Sequence, residues 1–298
     1  MKLDNVVGTR KIWFLISIVL TIVSILGIVF LGFNKGIDFT SGTLYTVEFT
    51  DEVDAENIRE FLKSSEMTSE FNLSSVLVQG LGDDHQMSLR VPSMPPDQQE
   101  QFMAALNEEF GECVARGIDQ VDPRVGAELT RNAIISVILA CVGILIYIGF
   151  RFEFGFAVAA IVCLLHDVLI TLGVIAFTRQ EINSAFIAGL LTIVGYSIND
   201  TIIIYDRVRE NRRSGKYKDN APLINASVSE TLRRTLNTGV TTILAVLALF
   251  IFGSSTIRDF TLSMMVGITI GTYTSIFIAS NIWYQFKGKN EKVSVAKK

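Results

Sequence analysis

Charge is scarce in this chain. Asp, Glu, Lys and Arg make up 19% of its 298 residues, where soluble domains carry about a quarter. With 49% hydrophobic residues and a mean hydropathy of +0.42, this composition excludes an ordinary soluble domain and points to a membrane protein. Cysteine is scarce as well. Cys113 stands alone in a polar segment, while Cys141 and Cys163 fall inside apolar runs. They form neither a disulfide framework nor a metal-binding spacing. No phosphate-cradling loop, no nucleophile beside a base and no metal-ligand cluster is legible, which argues against an enzyme and against a cofactor or metal. His85 lies in a polar turn and reads as solvated. The basic residues are explained by membrane topology, so nucleic-acid binding has no support.

What is present is a set of six apolar segments, at residues 12–32, 132–150, 155–177, 185–205, 238–253 and 260–284. Each is about long enough to cross a hydrocarbon core of roughly 30 Å. The fifth is short, so its helix is expected to begin further back, near Ser229 to Arg233. The basic start (Lys2, Arg10, Lys11) precedes a run too long for a signal-peptide core, and no small-residue cleavage site follows it. Residues 1–35 therefore read as an amino-terminal stretch and an uncleaved first span.

Charge is also distributed unevenly. Between residues 33 and 130 lie six basic residues (Lys35, Arg59, Lys63, Arg90, Arg116, Arg124) against nineteen acidic ones. Residues 206–235, read as a loop, carry eight basic residues: Arg207, Arg209, Arg212, Arg213, Lys216, Lys218, Arg233 and Arg234. The tail, residues 287–298, adds five lysines. The positive-inside rule then places both termini and the basic loop in the cytoplasm and the acidic segment outside. Arg207, Arg209, Arg212 and Arg213 read as an orientation signal and a lipid-headgroup contact.

The acidic segment, residues 36–128, is long enough to fold. Residues 43–49 alternate as a strand does, and Asp54 is placed to cap a helix through Ile58, Phe61 and Leu62. Residues 76–81 and 86–91 flank a hairpin turn at Gly82-Asp83-Asp84. A helix over 95–110 and a strand over 114–121 complete the order β-α-β-β-α-β, which suggests a small ferredoxin-like sandwich. The expected architecture is an α-helical polytopic membrane protein with six transmembrane helices. A small α+β extracytoplasmic domain lies between helices 1 and 2, and a five-helix bundle follows over 129–286. One span, a domain and five spans look like half of a larger assembly, since many transporters pair two related halves around a central site.

Asp200 is the most informative residue. It lies with Asn199 inside the fourth apolar run, where an ionisable group costs roughly 2.5–3.5 kcal/mol on insertion scales. A carboxyl in a low-dielectric surrounding favours its protonated form, and an approaching guanidinium favours release of the proton. Arg234, at the start of the fifth span, enters from the same membrane edge. Two readings stay open: a proton carrier with Arg234 as its modulator, or a static buried pair holding two helices together. His166 and Asp167 in the third span form a second candidate site or an interhelical hydrogen-bonding pair. Arg234, Thr238, Thr241 and Ala245 make a stripe on the fifth span that matches a small or polar stripe on the fourth, and the role of Thr238 is open between pathway and packing. Ser263, Gly267, Gly271 and Ser275 recur every four residues on the sixth span, a small-residue seam for close helix packing.

Certain motifs are specific. GIDFTSG (Gly36, Ile37, Asp38, Phe39, Thr40, Ser41, Gly42) resembles the GIDFTGG signature of the SecF family, subunits of the SecD–SecF accessory complex of bacterial protein export. RFEFGFAVAAIVCLLHDVLITLG, VGYSINDTIIIYDRVREN and SETLRRTLNTGVTT resemble that family's third, fourth and fifth spans, in order. The resemblance implies half of a resistance-nodulation-division membrane fold, with SecD supplying the other half. It implies location in the bacterial cytoplasmic membrane and use of the proton-motive force in late preprotein export through SecYEG with SecA. Accessory proteins of the YidC and YajC type are further implied partners. An aspartate and an arginine in the family's proton path match Asp200 and Arg234. Two departures stand out: Ser41 replaces the first glycine of the usual pair, and Ala127 stands where the family carries proline. The alternatives are a proton-coupled exporter of lipids or small molecules on the same fold, and a non-conducting scaffold of the translocon.

Overall fold

The computed structural model describes residues 5–73, 75–81, 85–253 and 255–287. The chain divides into two compact units, Met1–Asn34 with Ser136–Lys298, and Lys35–Ile135. From the amino end, helix α1 (Arg10–Leu31) is followed by strand β1 (Asn34–Lys35), the one-turn helix α2 (Ile37–Thr40) and strand β2 (Gly42–Phe49). Helices α3 (Ala55–Leu62) and α4 (Ser65–Phe71) lead to strands β3 (Leu77–Gly80) and β4 (Gln86–Val91). Helix α5 (Pro96–Phe110) and strand β5 (Cys113–Val121) follow. The remainder is helical apart from β6 (Glu181–Ile182): α6 (Pro123–Arg151), α7 (Phe154–Thr178), α8 (Ser184–Arg213), α9 (Asn220–Phe252) and α10 (Ser255–Thr274). A five-residue π-helical segment, Ser275–Ala279, joins α10 to α11 (Ser280–Lys287).

In the α+β unit four strands form one sheet in the order β3-β4-β2-β5, with every neighbour antiparallel. Alternation along β2 sends Tyr45, Val47 and Phe49 to one face, where they join Val78, Met87, Leu89 and Val91 beneath Ile58, Leu62, Phe102 and Leu106 of the helices. Asp54 caps α3 by accepting a hydrogen bond from the Glu56 amide at 3.1 Å, as its spacing predicts. Helix α4 is an addition to the expected elements. The hairpin turn expected at residues 82–84 lies outside the described residues.

Among the described residues six helices are long and apolar enough to cross a membrane, and the chain is a polytopic helical membrane protein. Helix α10 packs on α7, α8 and α9, while α1 lies on α7. Close approach depends on the small residues of the last span. A Cβ added at Gly267 would collide with Ile193, and one at Gly271 would stand 3.3 Å from the Ser197 Cα.

The segment 206–235, expected as a loop, is almost entirely helical. Helix α8 runs to Arg213 and α9 starts at Asn220, so only residues 214–219 connect them. The fifth span thus begins about two turns earlier than the sequence suggests. Leu223, Ile224, Val228 and Leu232, at helical spacing, bury one face of this stretch against the bundle, while its charged residues cover the opposite face.

Candidate functional site

Helix α8 carries Asp200 on its inward face, fully buried. Its Oδ2 accepts a hydrogen bond from Thr272 Oγ1 of α10 at 3.4 Å, whereas its Oδ1 is buried with no partner. Arg234 is exposed on α9. Among the described residues no ion pair or hydrogen bond joins it to Asp200. A carboxyl so placed has one oxygen held and one open to a proton or a moving donor.

On the inner face of α7 a second buried carboxyl is far better satisfied. Asp167 accepts at Oδ2 from Ser197 Oγ at 2.5 Å and from Thr274 Oγ1 at 2.9 Å. Its Oδ1 lies 3.2 Å from His166 Nδ1, and the other ring nitrogen, Nε2, is buried without a partner. The Thr201 and Ser275 hydroxyls are 2.8 Å apart, and Ser275 Oγ also donates to the Ser197 carbonyl at 3.3 Å. Thr272 and Thr274, two residues apart on α10, therefore tie both carboxylates to one turn of one helix. The π-helical segment begins directly after that turn, and such segments occur frequently at functional sites.

The residues singled out from the sequence do not all converge. Asn199 neighbours Asp200 in the chain but is exposed, because consecutive helical positions point about 100° apart. Thr238 and Thr241 return their hydroxyls to the Arg234 and Asn237 carbonyls of their own helix, each at 2.9 Å. The stripe Arg234–Thr238–Thr241–Ala245, expected to face the fourth span, is offset by one residue, since Thr235, Gly239 and Val246 are the buried positions. Ser263, Gly267, Gly271 and Ser275 are all buried, and Gly267, Gly271 and Ser275 meet α8 within the same chain. Ser197, Thr201, Thr272 and Thr274 carry no mark in the sequence. Serine and threonine in a span so often satisfy themselves on the preceding turn that residue type alone gives no signal.

The signature residues belong to the α+β unit. Gly36 precedes α2, and Ile37, Asp38, Phe39 and Thr40 form it. Ser41 leaves the helix at φ 63° and ψ 170°, a conformation that is essentially restricted to glycine. Gly42 follows at φ 123°, where a Cβ would stand 2.5 Å from the Val91 carbonyl oxygen. Both positions of the motif's glycine pair thus carry backbone that favours glycine, and this chain places serine in the first.

Residues 101–289 match the family described as protein export membrane protein SecD/SecF, C-terminal, and residues 27–53 match the SecD/SecF GG motif. The chain belongs to the SecD/SecF family. A relative named protein translocase subunit SecF, from Haemophilus influenzae, is 38% identical over 95% of this chain and 86% of its own length. One of the same name from Sebaldella termitidis is 41% identical over 93% of this chain and 89% of its own. The crystal structure of SecDF from Thermus thermophilus, described as a translocon-associated membrane protein, aligns with a TM-score of 0.86 at 34% identity. That alignment covers 96% of this chain and 40% of that one, so this chain spans about two fifths of the SecDF polypeptide. The resemblance drawn from GIDFTSG and the span motifs therefore holds.

Proposed function

We propose that this SecD/SecF family member is a SecF-type translocase subunit that uses the proton-motive force to promote late steps of preprotein export. Asp200 is its proton carrier. The observation that carries this reading is the half-satisfied carboxyl: fully buried, held at one oxygen by Thr272 and open at the other. The other buried carboxyl of the bundle, Asp167, has hydrogen-bonding partners at both oxygens. Moving one charge through the membrane potential is worth about 2.3 kcal/mol per 100 mV, enough to bias a two-state arrangement of packed helices.

A SecD-type subunit supplies the other half of a resistance-nodulation-division fold. Arg234 and Asn199, exposed in this chain, then face that half, and the proton path runs between the two. The α+β unit is an extracytoplasmic ferredoxin-like sandwich, a reading supported by its strand order and its helices on one face. The charge asymmetry supports cytoplasmic termini in the bacterial cytoplasmic membrane. The working partners are SecYEG with SecA, YidC- and YajC-type accessory proteins, and the preprotein.

The test is preprotein translocation into vesicles carrying this chain and its SecD partner, with and without an imposed proton gradient. Asp200→Asn is expected to abolish the gradient-dependent increment and to leave ATP-driven translocation intact. An increment of wild-type size in the variant rejects Asp200 as the carrier.

A further inference from the structure

Where α7 begins and α8 ends, Arg151, Phe152, Glu153, Phe156, Arg209, Arg212 and Arg213 enclose a pocket of about 190 Å³. Its charges are unequally matched. Arg151 pairs with Asp206 at 3.1 Å, and Arg212 grips both oxygens of Glu153 at 2.9 and 3.2 Å. Among the described residues Arg209 and Arg213 have no ion-pair partner, and Arg209 is half-buried in the wall. Four guanidinium groups thus face two carboxylates. The N-cap residue of α7, Glu153, lines the same pocket and makes no side-chain cap, so the positive end of the helix dipole adds to the attraction for an anion.

The floor is apolar. Phe156 is buried and stacks on Trp283 with ring centroids 4.6 Å apart. On either side the chain exposes aromatic surface, Phe150 at 90% and Phe154 at 82%. A cationic pocket whose lining residues 151–153 are flanked in the chain by exposed aromatic side chains fits a ligand that is anionic at one end and apolar at the other. We infer that this pocket binds the headgroup phosphate of one anionic phospholipid, with Arg209 and Arg213 as its principal ligands and the acyl chains lying over Phe150 and Phe154. A basic pocket between spans is a recognised way of holding such headgroups. The second basic hollow in this unit, lined by Arg10, Lys11, Phe14, Tyr284 and Gln285, makes a weaker candidate. Its Arg10 already donates to the Val7 carbonyl at 2.8 Å and lies over the Tyr284 ring.

The full-length chain, purified in mild detergent, is titrated with phosphatidylglycerol, phosphatidylcholine or inorganic phosphate, and bound lipid is counted by native mass spectrometry. One phosphatidylglycerol is expected to be retained at least tenfold more tightly than phosphatidylcholine, with millimolar phosphate failing to displace it. Arg209→Gln with Arg213→Gln is expected to erase the preference, and Arg209→Lys with Arg213→Lys to restore most of it. Arg10→Gln with Lys11→Gln is expected to leave it unchanged. Equal retention of the two lipids overturns the inference, as does a preference that survives the double glutamine variant. Displacement by phosphate assigns the pocket to a soluble anion and overturns it too.

Discussion

At the scale of single residues, the two buried carboxylates are legible because an acid inside an apolar run is costly and stands out in any sequence. Their partners are not, since Ser197, Thr272 and Thr274 look like any other hydroxyl in a span. Ser41 is the reverse case: an ordinary residue made informative by its backbone. Holding a non-glycine residue in its conformation costs about 1–3 kcal/mol, and glycine gives back about 0.4–1 kcal/mol through the looser unfolded chain. Relief of strain outweighs the entropy given back, so Ser41→Gly is expected to stabilise the α+β unit by about 1 kcal/mol, read as slower amide exchange in β2. Tyr45 offers a test of opposite chemistry. Its hydroxyl is buried without a partner, and burial pushes the phenol from 10.0 up to about 12. The neutral form is therefore the one the fold accommodates. Its contribution is complete below the unfolded value of 10.0 and lost as pH rises towards about 12. Tyr45→Phe is expected to flatten that alkaline loss and, by removing an unpaired hydroxyl, to add about 1 kcal/mol near neutral pH. Denaturant melts of the α+β unit at pH 7 and pH 11 check both.

At the scale of elements, the six spans are visible because a run of about twenty apolar residues is what a hydrocarbon layer demands and a soluble core does not. The ends of α8 and α9 are hidden because charges interrupt the run once the helices leave the apolar layer. The buried spacing of Leu223, Ile224, Val228 and Leu232 is present in the sequence but interrupted by the polar residues Asn225, Ser227, Ser229 and Glu230. The inward stripe of α9 is easily misplaced by one residue for a related reason: threonines at 238 and 241 look like interfacial groups, yet their hydroxyls are satisfied within their own helix. The seam on the last span is readable, and its consequence is mechanical. Gly267 lets α10 approach Ile193 of α8, and that approach sets Thr272 within reach of Asp200. Gly267→Val is expected to cost about 1–3 kcal/mol through overpacking and to reduce gradient-driven translocation as α10 shifts away. A variant with unchanged thermal stability and full activity rejects this role for the seam.

At the scale of the whole molecule, the chain spans two fifths of the SecDF polypeptide it aligns with, and Arg234 is exposed, with no ion pair or hydrogen bond to the buried Asp200 among the described residues. The two roles open to that arginine differ in what its removal costs. If Asp200 and Arg234 form a static pair in the assembled protein, removing one partner strands a buried charge and costs about 3–5 kcal/mol. If Arg234 approaches Asp200 only during the cycle, the resting structure contains no such bond to lose. An exposed substitution without contacts then changes stability by no more than about 0.5 kcal/mol. The resting geometry favours the second role, because Asp200 takes its one hydrogen bond from Thr272. Arg234→Gln is expected to leave the melting temperature of this chain alone within one or two degrees of wild type. In vesicles with the SecD partner, the same variant is expected to lower gradient-dependent translocation at least tenfold, and Arg234→Lys to recover part of it. A large fall in melting temperature with Arg234→Gln identifies the pair as a fixed clamp and moves the modulating role elsewhere.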